Sequence, residues 1–136
     1  MSIDVRGLPI TVANDAALAA YERAVAGYLA QKRDTMDQLD AALAADPEFV
    51  LAHCLKAYLL RMAYDPAFLP AARDSVAAAK KVSAGTTERE QRHVAAAERL
   101  LEEDVVEALA ILDGIAIDHP ADLMTLKLAQ FTHFWR

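Results

Sequence analysis

From residue 15 onward, apolar side chains recur at intervals of three, four and seven residues, the spacing that gathers them on one face of a helix. Leu18, Tyr21, Val25, Tyr28 and Leu29 form the first such stripe, which Asn14 or Asp15 can cap. Asp34 offers the N-cap of a short second helix through Leu39, Ala42 and Leu43. A third carries Val50, Leu51, Cys54, Leu55, Tyr58, Leu59 and Met62, until Asp65-Pro66 and Pro70 interrupt the pattern. The fourth is predicted from near Pro70 to Val82, closed by Ser83-Ala84-Gly85. Thr87-Glu88-Arg89-Glu90 has the form of a capping box, in which Thr and the Glu three residues on bond to each other's backbone. It opens a fifth helix through Val94, Ala97, Leu100 and Leu101, and Asp104 caps a sixth through Val105, Ala108, Leu109, Leu112 and Ile115. Pro120 begins a seventh, with Leu123, Met124, Leu128, Phe131, Phe134 and Trp135 on its apolar sides. Residues 1–13, containing Gly7 and Pro9, read as an irregular lead-in.

One phrase in this pattern occurs twice. Leu39, Ala42, Leu43, Asp46, Pro47 runs parallel to Leu112, Ile115, Ala116, His119, Pro120. In both, a helical stripe breaks at a proline and another opens at once. Proline disfavours helix in the residue before it but suits a first helical turn, where a missing N–H costs nothing. The two prolines lie 120 − 47 = 73 residues apart. A tetratricopeptide repeat has about 34 residues, so two account for roughly 68, and the surplus of about five falls in the Asp65–Pro70 connection. Small residues, Ala57, Ala96 and Ala108, stand where paired helices must touch. The expected architecture is all-α: a tetratricopeptide-like α-solenoid of about seven antiparallel helices in a single domain, 1–136. Its hairpins fall at about 15–46, 47–83 and 87–119, with a last helix at 120–135.

Composition supports this reading and removes some functions. The chain is 55% apolar with only 7% aromatic residues and four glycines, and alanine, the best helix former, supplies much of the apolar share. Its net charge of −6 repels phosphates, so nucleic acid is not an expected partner. No uninterrupted apolar run reaches the length of about 18 residues that spans a bilayer, and the first residues lack the basic flank and apolar run of a signal peptide. The single cysteine, Cys54, cannot form an intramolecular disulfide, which points to a cytoplasmic setting.

Three stretches carry a narrower likeness. They are Ala45-Asp46-Pro47-Glu48-Phe49-Val50-Leu51-Ala52-His53, then Arg89-Glu90-Gln91-Arg92-His93-Val94-Ala95-Ala96, then Asp118-His119-Pro120-Ala121-Asp122-Leu123-Met124-Thr125-Leu126-Lys127. In content, order and separation they resemble the N-terminal part of the family of tetratricopeptide repeat protein 38 and its bacterial relatives. The Arg-Glu-Gln-x-His element is the most specific of the three. The resemblance implies an α-solenoid of degenerate repeats with no assigned activity, and members several times longer than this chain. The apolar ending at Phe131, Phe134 and Trp135 lacks the polar cap a solenoid needs, so either the last helix packs elsewhere, or a second chain covers it in self-association, or, the favoured expectation, the chain is the opening portion of a longer solenoid.

The chemically versatile residues have competing readings. His53 and His93 fall near the start of first-of-hairpin helices, which line the concave face of such solenoids. His53, Lys56, Tyr58, Arg89, Glu90, Arg92 and His93 are therefore the candidate lining of a binding groove. Glu90 and His93, three apart, are either an acid–base cluster or a capping box with an ordinary carboxylate–imidazole pair. Cys54 adjoins His53, but neighbours on a helix point about 100° apart, and Cys54 continues an apolar stripe, so a buried inert thiol is expected. His119, before Pro120, suits a capping role. No His-x3-His or Cys-x2-Cys spacing occurs, so neither a metal nor a cofactor is expected. Lys80 and Lys81 complement a helix C-terminus. The sequence thus predicts a non-enzymatic scaffold that captures a protein or peptide in its concave groove. The alternative is a small-molecule, metal or catalytic site built on His53, Glu90 and His93.

Overall fold

Among the described residues seven helices form along the predicted stripes: α1 (Asp15–Leu29), α2 (Thr35–Ala45), α3 (Val50–Met62), α4 (Leu69–Val82), α5 (Glu88–Leu101), α6 (Val105–Asp118) and α7 (Leu123–Trp135). The structure, a computed structural model, describes residues 1–135, without the side chains of Phe134 and Trp135. The part of the apolar ending carried by those two side chains therefore lies outside the described residues. Single 3₁₀ turns at Pro66–Phe68 and Ser83–Gly85 flank α4. Among the described residues no helix is long and apolar enough to cross a membrane.

The caps follow the sequence closely. Asn14 accepts a hydrogen bond from the Ala17 N–H, Asp104 from that of Glu107, and the capping box at Thr87 and Glu90 is complete. Asp34 stands at the N-cap of α2 without a side-chain bond to it; the neighbouring Thr35 hydroxyl instead donates back to the Lys32 carbonyl. Two boundaries differ from expectation. α3 starts at Val50 and α7 at Leu123, not at the prolines themselves. At the first site the Asp46 carboxylate accepts from the Glu48 N–H, holding Pro47 and Glu48 in a turn; at the second, Asp122 caps the helix by accepting from the Thr125 N–H. The repeat survives this shift, since 118 − 45 and 123 − 50 both equal 73.

The lead-in is not irregular. Ser2–Ile3 (β1) and Pro9–Ile10 (β2) pair antiparallel, with Ser2 opposite Ile10 and Ile3 opposite Pro9. Asp4 closes the turn between them by accepting from the Arg6 and Leu8 N–H groups, while Gly7 takes φ 83°, open to a residue without Cβ.

Each helix packs most extensively on its hairpin mate: α1 on α2, α3 on α4, α5 on α6. The three hairpins close the same way. Directly after the C-caps Ala30, Ala63 and Glu102, a non-glycine residue takes the left-handed conformation: Gln31 (φ 58°), Tyr64 (φ 55°) and Glu103 (φ 60°). Their N–H groups donate to the carbonyls of Tyr28, Arg61 and Leu100. After α1 and α5 a second bond, from Lys32 to Gly27 and from Asp104 to Arg99, completes a Schellman motif. Gly27 serves a different purpose. A Cβ there would lie 2.8 Å from the Thr35 hydroxyl, so a side chain would force Thr35 to shift where α1 meets α2.

The first helices of the hairpins also meet one another. α3 packs on α5, and α7 returns to α1, where the Lys127 ammonium donates to the carbonyls of Tyr28 (2.6 Å) and Leu29 (3.2 Å). The Tyr21 ring of α1 sits 4.9 Å from that of Phe49, and its hydroxyl donates to the Met124 sulfur of α7 at 3.7 Å. Side chains of α1, α3, α5 and α7 thus fill a common interior.

Candidate functional site

That filled interior holds most of the residues expected to line the groove. Tyr58 and His93 are fully buried, as is Glu90, and Arg89 is only 4% exposed. Their placement follows from α5. Its capping box fixes the first turn, and Arg89, Glu90 and His93 then face inward while Gln91 and Arg92 face out. His93 Nε2 lies 3.1 Å from Asp122 Oδ2 and 2.9 Å from the Thr125 hydroxyl. A carboxylate only accepts, so Nε2 is the nitrogen that donates to Asp122. On the other side of the ring Nδ1 lies 2.9 Å from the Tyr58 hydroxyl, which is also 2.9 Å from the His93 carbonyl.

Asp122 is the hub. Its Oδ2 also accepts from Arg89 Nη1 at 2.9 Å, and its Oδ1 caps α7 through the Thr125 N–H. Burial pushes its carboxyl up, but the His93 hydrogen bond and charge, and the Arg89 guanidinium, outweigh that and hold it well below the usual carboxylate range. Burial drives the Tyr58 phenol well above its ordinary value, with Cys54 and Asp122 adding to the shift. The Cys54 thiol is pushed up by burial and by Glu90, so it stays protonated and unreactive.

Glu90 belongs to a second knot. Besides capping Thr87, it accepts from both the Thr11 N–H (2.6 Å) and the Thr11 hydroxyl (2.8 Å). Arg89 Nη2 reaches the Pro9 carbonyl at 3.3 Å, so α5 grips the β2 segment at alternate residues. Glu90 and His93 do not pair with each other, and they do not face solvent. The expected groove lining is corrected accordingly: Tyr58, Arg89, Glu90 and His93 are interior and fully engaged.

The remaining candidates are partly exposed and separate. His53 Nε2 lies 2.7 Å from the Pro47 carbonyl, Lys56 pairs with Asp40 at 3.0 Å, and Arg92 pairs with Asp118 at 2.8 Å. The two ion pairs join neighbouring helices, α3 to α2 and α5 to α6, whereas His53 reaches only the turn that precedes its own helix. His119 is the C-cap of α6, and its carbonyl, not its ring, accepts from the Asp122 N–H. Among the described residues no group of three or more His, Cys, Asp or Glu side chains is placed to hold a metal ion.

An accessible recess lies elsewhere. A cleft of about 430 Å³, within the size range of ligand sites, opens where the ends of α1, α2 and α3 meet α7. Met36, Leu59, Met62 and Phe131 give it apolar lining, and Lys32, Arg33 and Lys127 give it three cations, with no carboxylate among the described lining residues. Tyr28 also lines it, with Lys127 Nζ 4.8 Å from the centre of its ring. The Tyr28 hydroxyl is shielded from water, has no hydrogen-bond partner among the described residues, and its phenol is pushed up by burial. Sequence reasoning did not single out this set. One signal was present: Lys32-Arg33, an adjacent basic pair directly after a helix end in an acidic chain.

No protein-family model matches the chain, and no solved structure matches it significantly.

Proposed function

We propose that the chain is a non-enzymatic binding module of tetratricopeptide-like hairpins, working in the cytoplasm, that captures a protein or peptide segment. The seat of capture is the cleft between Tyr28 and Lys127, not the set of His53, Arg89 and His93. One observation carries this reading. The groups able to do acid–base or nucleophilic chemistry, His93, Asp122, Glu90 and Cys54, are buried and, apart from the thiol, already bonded on every useful side. The cleft, by contrast, offers unpaired cations and apolar surface to solvent. The resemblance to tetratricopeptide repeat protein 38 supports a helical scaffold without catalysis, and the 73-residue structural offset supports repeated hairpins.

The test compares two surface variants in retention of a partner on the immobilised chain. Retention is expected to be lost with Met36→Glu and kept with the double change His53→Ala and Arg92→Ala. The opposite pattern returns the binding site to the groove, and a chain that retains nothing ends the reading. Exposed Ile117, Leu123 and Leu126 favour a second reading, self-association through the α6–α7 surface. Light scattering across a concentration series reads it directly, and a monomer throughout removes it.

A further inference from the structure

We infer that the cleft takes an acidic peptide segment carrying an aliphatic anchor side chain; this rests on the binding reading above and names its partner chemistry. The charge arrangement is the first argument. In a chain of net charge −6, Lys32, Arg33 and Lys127 converge on one recess whose lining, among the described residues, includes no carboxylate. Lys32 and Arg33 have no ion-pair partner among the described residues, as is true of Arg23, Arg61, Arg73 and Lys81 too, but here two such cations stand together with Lys127 in one recess. An acidic segment is attracted here and repelled by the acidic surface elsewhere, so position and orientation are selected together. The turn enforces the arrangement. The left-handed Gln31 and the Lys32-to-Gly27 bond fix the backbone that presents Lys32 and Arg33 at the rim.

The floor supplies the second argument. Met36, Leu59 and Met62 come from two helices and are only partly buried. Methionine adapts its shape to an incoming aliphatic group, which suits one inserted Leu, Ile or Met side chain. The cleft is open to solvent, so it can admit such a side chain while the rest of a peptide stays in water.

A displayed library of random heptapeptides, panned against the full chain and then against its Met36→Glu and Lys32→Glu/Arg33→Glu variants, tests this. Thermal melting first confirms that both variants fold as the parent does. The expected selection is peptides with Asp or Glu flanking a Leu, Ile or Met. Their affinity should fall about tenfold in the double charge variant and on raising salt, as exposed charge attraction does. Cleft-dependent peptides that are neutral or basic overturn the acidic partner and leave the binding reading standing. If no selected peptide loses affinity with Met36→Glu, the binding reading itself fails, and this inference with it.

Discussion

Two polar regions of this chain stand in opposite conditions. Around Asp122, five side chains from α3, α5 and α7 face one another with no solvent, and their hydrogen-bonding groups are engaged. Around Tyr28 and Lys127, cations and apolar surface face water with spare capacity. The first region contains residue types usually searched for as active sites, a histidine, a carboxylate, an arginine and a tyrosine. The second contains types usually passed over as surface. What separates a structural cluster from a binding site is unspent bonding capacity that a ligand can reach, and the histidine cluster has none to offer.

The sharpest break in that comparison is Asp122→Ala. It leaves Arg89 buried without a counter-charge, His93 Nε2 without its acceptor, and α7 without its cap. Removing one member of a buried charged pair costs about 3–5 kcal/mol, so urea unfolding should show a loss of that order. A loss below about 1 kcal/mol, the value of a cap alone, would mean that Asp122 does not hold the interior together.

Acid titration attacks the same residue without mutation. The Asp122 carboxyl is lowered in the folded chain, so its contribution is complete above the unfolded value of about 3.9 and is lost as pH falls through the folded one. Stability should therefore begin to fall below about pH 5 and continue falling into strong acid. Asp122→Asn should flatten this acid limb. An equally steep limb in that variant would assign it to other carboxylates.

Much of the fold was legible because local signals agreed with one another. Helical spacing, the Thr87–Glu90 box and the Asp-Pro and His-Pro stops all place the helices within a few residues. The hairpin turns were less legible, since the left-handed positions at Gln31, Tyr64 and Glu103 carry no glycine to mark them. The β1–β2 pair was hidden for a related reason: its stabilising bonds, Thr11 to Glu90 and Arg89 to Pro9, join residues about eighty positions apart. The same limit applies to function. That Glu90, Arg89 and His93 turn inward depends on how α5 meets α3, α7 and the lead-in, which spacing along one helix does not report. Lys127 joins Lys32 and Arg33 only because α7 returns to α1.

One chemical change applied to both regions gives a graded test. Tyr58→Phe removes the hydroxyl that meets His93 Nδ1 and the His93 carbonyl, leaving the buried Nδ1 without a partner, at about 1–3 kcal/mol. Tyr28→Phe removes a hydroxyl that has no partner among the described residues, so stability should stay level or rise by up to about 1 kcal/mol. Equal losses in the two variants would show that the Tyr28 hydroxyl is engaged in solution, and the contrast between the regions would narrow.

The smallest expected effect is the most discriminating. Lys32→Glu with Arg33→Glu changes the charge of the rim by four units at positions that are exposed and make no ion pair among the described residues. Surface changes away from packed or bonded features stay within about 0.5 kcal/mol, so the unfolding midpoint should hardly move. The rim sits beside the α1 C-terminus, where Lys127 already covers the carbonyls of Tyr28 and Leu29, and that internal bond is untouched by the double change. A fold that ignores this reversal while its peptide binding responds to it would locate the selective force on Lys32 and Arg33 outside the stability of the chain. A large loss of stability would instead give the two cations a structural task, and the cleft would join the Asp122 cluster as part of the scaffold.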